Sequence, residues 1–261
     1  AHEDYRRGRA TDARAALQEL AALYPDDPEV WFRLGEVRLH FGPLEGWRIS
    51  EAREPFMRAT ALDPGSPAAL YHLAQLAALE ADTAAALRAI DRALDAAPSA
   101  SRALQLRLLR TLLGDADGLQ DMLNALTRAD EFTVVSSVYN AAIYARRPDV
   151  AGFAARHLTA PSRSASTRAF GHLLLTDLEL ALGRTAAARS RLGELARMDP
   201  ERAEIHRAML AAAPGAGLDW MPPIAATLAS DHRQGGEEDR WRPEAALGTL
   251  PATYAGGLLA A

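Results

Sequence analysis

Seven histidines are the residues of this sequence best suited to metal binding or to acid and base chemistry. Their spacing contains no H-E-x-x-H motif and no close pair, so we expect surface or packing roles for most of them and no metal site. No cofactor is expected either, because no cofactor-binding motif occurs. The seven are His2, His40, His72, His157, His172, His206 and His232.

Other catalytic groups are missing or lie in no known motif. The chain has no cysteine and all 29 of its basic residues are arginine, which excludes thiolate nucleophiles, Schiff-base lysines and P-loop lysines. Gly215-Ala216-Gly217 is neither a P-loop nor a dinucleotide fingerprint, and no G-x-S-x-G segment occurs. The sequence therefore predicts a protein that is not an enzyme. An all-α enzyme built from scattered carboxylates and histidines is the less favoured alternative.

The charge balance argues against nucleic acid as a partner. A formal charge of -5 leaves no broad positive surface to displace counterions. No apolar run approaches the roughly 20 residues of a membrane-spanning helix, and residues 1–4 do not resemble a secretion signal. We expect a cytoplasmic chain without direct membrane insertion. Because the sequence lacks an initiator methionine and begins within a helix, we also expect it to be part of a longer protein. The alternative to a cytoplasmic protein is that this longer protein is anchored in a membrane or exported.

A repeated helix pair is the clearest pattern. Trp31-Phe32-Arg33-Leu34-Gly35 is followed by Ala52, Phe56, Ala59 and Pro64, which are the residue types and the order of the tetratricopeptide repeat (TPR) signature. In such a unit two antiparallel helices pack together. The large side chains of the first helix meet the phenylalanine of the second, while glycine and alanine permit close backbone approach.

Later parts of the chain keep the helical spacing while the signature fades. Pro64 and Pro98 end successive units, and 98 − 64 = 34 equals the TPR period. Upstream, Ala16, Leu20 and Pro28 fit the second helix of a truncated unit. Beyond Pro98, three more helix pairs and one further helix are predicted. They are 101–113 with 116–128, 131–145 with 148–158, 165–182 with 185–198, and finally 200–212.

These elements predict an all-α, right-handed superhelical solenoid of about six antiparallel helix pairs over residues 1–213. From Pro214 onward, glycine and proline interrupt every periodic pattern. Residues 214–261 are therefore predicted to be an irregular tail with a capping helix at 223–233. The tail either covers the end of the solenoid or lies in its groove.

Several segments resemble TPR modules of bacterial signalling proteins, which are often attached to serine/threonine kinases or to SARP/BTAD-type transcriptional regulators. The resemblance covers roughly residues 5–213. It implies a sensory or scaffolding region that recruits proteins or peptides, with catalysis or DNA binding elsewhere in the parent. The segments are 31–35, 41–43, 51–56, 61–64, 130–133, 158–163 and 171–174.

The first helices of TPR units line a concave face, where we place the partner-binding residues. Phe32 and Tyr71 are expected to hold an apolar side chain, and Arg33 and Arg102 to make forked contacts with carboxylates. Trp47, in a loop with about five residues more than the TPR period, either contacts a partner or folds back onto its repeat. The remaining predicted contacts are Glu29, Glu36, Leu39, Gln75 and Gln105.

The sequence thus predicts a protein-protein interaction scaffold or sensory module that binds a protein or peptide segment on a concave helical face. An intramolecular regulatory domain of a larger kinase or transcriptional regulator is the alternative. The absence of lysine disfavours a lysine-rich carboxylate clamp of the kind that binds chaperone tails. Because repeat surfaces vary while the packing signature stays fixed, the repeat does not identify its ligand.

Overall fold

The structure, a computed structural model, describes residues 10–41, 48–98, 102–114 and 117–211. Within these ranges the chain is helical and forms no strand. The α-helices are α1 (Ala10–Leu23), α2 (Pro28–Phe41), α3 (Arg53–Leu62), α4 (Pro67–Leu79), α5 (Thr83–Ala96), α6 (Ala103–Leu113), α7 (Leu119–Leu126), α8 (Glu131–Tyr139), α9 (Pro148–Leu158), α10 (Ala165–Ala181), α11 (Thr185–Met198) and α12 (Pro200–Ala211).

Each helix packs against the next, except that α8 packs against α6 rather than α7, so the fold is an all-α, TPR-like solenoid, as predicted. A short turn joins α3 to α4. At the end of α3 the Asp63 carboxylate accepts from the Gly65 backbone N–H at 3.2 Å, and α4 then begins with Pro67. Proline suits this position because the first helical N–H has no partner within its helix.

The packing expected from the TPR signature is confirmed in the pair α2 and α3. The Phe56 side chain is fully buried, and Trp31 Nε1 donates to the Pro25 carbonyl at 2.8 Å. Gly35 lies directly on the Phe56 ring, since a Cβ at Gly35 would approach it to 2.6 Å. The signature glycine is therefore required by this contact.

The predicted helices beyond Pro98 are present, with two differences. Helix α7 is shorter than 116–128 because Gly118 adopts a left-handed backbone conformation, with φ of 83°, and the helix begins after it. The predicted helix 131–145 changes at Asn140 into one π-helical turn, Asn140–Tyr144, closed by the Ala145 N–H on the Asn140 carbonyl at 2.9 Å. A π turn of this kind is rare and often lies at a functional site.

Some predictions fall outside the described residues. These are the first helix of the truncated unit, the loop with Trp47, and the tail 214–261 with its capping helix 223–233. Among the helices that the structure describes, none has the length and apolar character needed to cross a bilayer.

Candidate functional site

The predicted partner-binding positions fall on or beside the first helices of three pairs, α2, α4 and α6. Glu29 is exposed at the start of α2, whereas Phe32, Arg33 and Arg102 are half-buried. Trp47 lies outside the described residues. The other five are buried against protein: Glu36, Leu39, Tyr71, Gln75 and Gln105.

Buried polar side chains connect α4 to the π-helical turn. Gln75 Nε2 donates to Asn140 Oδ1 at 2.8 Å, and Asn140 Nδ2 donates to the Tyr71 hydroxyl at 3.2 Å. Asn140 is fully buried. Part of the face predicted to take a partner is thus filled by the chain's own π-helical turn. Sequence reasoning missed Asn140, because its contacts lie 65 and 69 residues away along the chain.

This hydrogen-bond network fixes the proton on His72. Because the Gln75 amide nitrogen donates to Asn140, the amide oxygen Oε1 is the atom that faces His72 Nδ1, at 2.9 Å. A carbonyl oxygen only accepts, so Nδ1 carries the hydrogen. In the neutral ring Nε2 is then an acceptor with a free lone pair.

Glu36 and His40 lie beside that free nitrogen. His72 Nε2 is 2.6 Å from Glu36 Oε1, and His40 Nε2 is 3.8 Å from the same oxygen. Both atoms of the shorter contact are buried, and within the described chain neither has a partner in hydrogen-bond geometry. The three side chains offer ligand atoms within 4.8 Å of one another, so they could hold a metal ion.

Although the sequence spacing of the histidines shows no close pair, the fold brings His40 and His72 together, with their rings edge to face and their centroids 5.8 Å apart. One signal was available in the sequence. Glu36 and His40 are four residues apart on a helix, which places both on one side of it. That His72 joins them depends on how α4 packs beside α2, and spacing along the chain does not give this.

Aromatic rings surround the His72 imidazole. The Phe56 ring stacks on it, with centroids 4.9 Å apart and 20° between the planes. The Tyr71 ring meets it edge to face at 5.2 Å, and the Phe32 ring lies at 6.2 Å. Phe32 and Tyr71, predicted to hold a partner's apolar side chain between them, instead both lie against His72.

Burial and the neighbouring charges together set the pKa values of Glu36 and His72. It raises the pKa of the Glu36 carboxyl, but the neighbouring His72 and His40 outweigh it and hold that pKa well below its usual range. Burial lowers the pKa of His72, and the attraction of Glu36 offsets this only in part. The lowered pKa of Glu36 favours an ion pair with His72, whereas the lowered pKa of His72 opposes one. Since the His72 side chain is only 4% exposed, we take burial to dominate and the imidazole to be neutral beside an ionised carboxylate.

Arginine side chains form the open edge of this face. The Arg102 guanidinium lies 5.0 Å from the centroid of the Tyr71 ring, and its Nη1 is buried with no hydrogen-bond partner in the described ranges. The Arg33 guanidinium lies 5.6 Å from the Phe32 centroid, and its Nε is 2.7 Å from Glu29 Oε1. This edge presents one apolar ring and two positive charges.

A second buried histidine lies at the other end of the described chain. His206 Nε2 on α12 is 3.1 Å from Asp177 Oδ1 on α10, and its Nδ1 is 3.1 Å from the Arg202 carbonyl. Burial lowers the pKa of His206, but the Asp177 charge and these contacts outweigh it and raise the pKa above its usual value. The Asp177 carboxylate therefore favours the charged form of the His206 ring.

The family model described as tetratricopeptide repeat matches residues 1–46 of the 261-residue chain. With the helix pairs described above, this match supports a tetratricopeptide repeat module. Proteins with such repeats generally bind other proteins and are typically scaffolds without enzymatic activity. No curated protein matches the sequence.

Proposed function

We propose that this chain binds a segment of another protein along the face formed by α2, α4 and α6. The buried predicted positions, such as Glu36 and Gln75, act by holding this face in shape. The direct contacts are Phe32, Arg33 and Glu29 at one end and Arg102 at the other. We also propose that the chain serves as a scaffold or as a sensory module of a signalling protein.

One observation carries the proposal: the guanidinium of Arg102 over the Tyr71 ring, with a buried nitrogen that no described residue accepts from. A buried cationic donor without an acceptor is costly, and a carboxylate is the group that matches a guanidinium best. The Phe32 ring contacts the His72 ring, which in turn contacts the Tyr71 ring under Arg102. The face therefore fits a segment that carries an acidic group and, at a distance, an apolar side chain.

The test captures partners from native lysate on the immobilised chain and on the variants Phe32→Ala and Arg102→Ala. Phe132→Ala and Arg197→Ala are matched controls, because Phe132 is 46% exposed on α8 and the Arg197 side chain is 73% exposed on α11. Circular dichroism checks that all variants keep their helicity. We expect a partner that the native chain and both controls retain and that both face variants lose.

The recovered partner is then titrated against the same variants in purified form, which separates direct from bridged binding. Equal affinity for native chain, Phe32→Ala and Arg102→Ala would exclude this face. Retention of no protein by the native chain would contradict binding between chains and favour the intramolecular alternative, a regulatory domain within a larger kinase or transcriptional regulator.

A further inference from the structure

Glu36, His40 and His72 form a second kind of site, separate from the partner-binding edge. Two imidazole nitrogens and one carboxylate oxygen lie within 4.8 Å of one another, and Glu36 Oε1 and His72 Nε2 are buried with no hydrogen-bond partner among the residues that the structure describes. We propose that these three residues bind a divalent transition-metal ion of the zinc class.

The arrangement of lone pairs is the first argument. His72 Nδ1 faces the Gln75 amide oxygen, so His72 Nε2 is the ring nitrogen that faces Glu36 Oε1, at 2.6 Å. Each of these two atoms has a lone pair that can bind a metal ion. Both are buried without a hydrogen-bond partner among the described residues, and one metal ion bound by both would satisfy them together.

The surroundings of His72 supply the second argument. A metal-bound histidine usually donates its other ring N–H to an oxygen, which fixes the tautomer and the ring orientation. Here Gln75 Oε1 accepts that hydrogen, and Asn140 in turn holds the Gln75 amide at 2.8 Å. The stacked Phe56 ring limits rotation of the imidazole further. The cluster thus has the supporting contacts of a metal ligand as well as the ligand atoms.

The donor set selects the kind of ion. Imidazole suits zinc and similar transition metals, whereas magnesium and calcium prefer oxygen ligands throughout. Ligand atoms about 2.1 Å from a tetrahedral zinc ion lie roughly 3.4 Å apart. The observed separations from Glu36 Oε1, 2.6 Å to His72 and 3.8 Å to His40, bracket that value and need only small side-chain shifts.

Access to the site runs past His40. Its side chain is 33% exposed, whereas those of Glu36 and His72 are 7% and 4% exposed. An ion therefore reaches the two buried ligands from the solvent side of α2. Three protein ligands leave a fourth tetrahedral position for a water molecule or for a group of a bound partner.

The experiment titrates Co²⁺ into the complete chain, prepared without a polyhistidine tag and stripped with chelator, and follows the visible absorption of tetrahedral cobalt. We expect saturable binding of one ion per chain that zinc displaces. His40→Ala should abolish this spectrum while leaving the fold intact, because His40 is partly exposed. Gln75→Leu, which keeps all three ligands, should weaken binding by about 10- to 100-fold. His157→Ala, the control, should bind like the native chain.

Thermal melts give a readout independent of the spectrum. Zinc should raise the Tm of the native chain and of His157→Ala, but not that of His40→Ala, because binding to the folded state alone stabilises it. Absence of saturable Co²⁺ or Zn²⁺ binding by the native chain would overturn the proposal, as would unchanged binding by His40→Ala. The result does not depend on partner binding, since no partner is present.

Discussion

Two buried pairs of histidine and carboxylate lie far apart along the chain and differ in what completes them. Glu36 and His72 join α2 and α4, whereas Asp177 and His206 join α10 and α12. In both pairs Nδ1 faces a carbonyl oxygen, an amide side chain in the first and the Arg202 backbone in the second. The contact between histidine and carboxylate is thus built in the same way twice.

The difference lies in the groups around each contact. His40 adds a second imidazole to the first pair, and in the described ranges this is the only group of three such residues with converging ligand atoms. Burial lowers the pKa of His72, while the Asp177 charge raises that of His206. In both pairs a carboxylate oxygen, Glu36 Oε1 or Asp177 Oδ1, is buried without a hydrogen-bond partner among the described residues. The first pair therefore differs from the second by its third ligand, His40, and by the direction in which the histidine pKa is shifted.

Replacing the histidine of each pair by alanine should change the free energy of unfolding most. We expect His72→Ala to lower the free energy of unfolding by about 3–5 kcal/mol, because it removes a buried ring stacked on Phe56 and leaves Gln75 Oε1 without its hydrogen-bond donor. His206→Ala should cost about 1–3 kcal/mol, because it removes a less buried ring, 11% exposed against 4% for His72, and leaves Asp177 Oδ1 without its partner. Urea denaturation in chelator measures both. Equal losses would show that both pairs are equally locked into the core.

Two glycine substitutions test the packing of the Phe56 ring, which stacks on His72 of the first pair. Gly35→Ala should destabilise the chain by roughly 1–3 kcal/mol, since its Cβ would lie 2.6 Å from the Phe56 ring. The same shift of Phe56 should disturb the His72 stack and weaken cobalt binding. Gly193→Ala, in α11 with no atom within 4 Å of the added Cβ, should instead stabilise by about 0.5–1 kcal/mol. A neutral Gly35→Ala in urea denaturation would contradict the close approach.

The sequence predicted the helix pairs well because the features that specify them are local. Trp31, Gly35 and Phe56 stand in the order of the TPR signature, and turn residues such as Gly183, with φ of 69°, mark helix ends. The π turn at Asn140 was not predicted. It carries buried contacts to Tyr71 and Gln75, which are set by packing over long separations rather than by local periodicity.

The candidate site was harder to predict than the fold. The positions Glu36, Tyr71 and Gln75 were correctly placed on first helices, but the TPR pattern gives a helix face and not a side chain's exposure. Tyr71 is 5% exposed because the π turn, 69 residues later, packs against it. His72 was missed for a similar reason: its partners lie on α2, so only the packing of two helices brings them together.

The pH dependence of the second pair is the smallest expected effect, since it changes a proton and not a side chain. Asp177 on α10 and the Arg202 carbonyl favour the charged His206 ring, the Arg202 charge opposes it, and Tyr139 on α8 lies near Asp177. The folded-state pKa is raised above about 6.5, the unfolded value, so the pair stabilises fully below about pH 6.5 and loses this stability as pH rises through the folded pKa. The difference in urea midpoint between native chain and His206→Gln should therefore shrink from about pH 6 to about pH 8. A difference that grows instead would mean that His206 is buried in its neutral form.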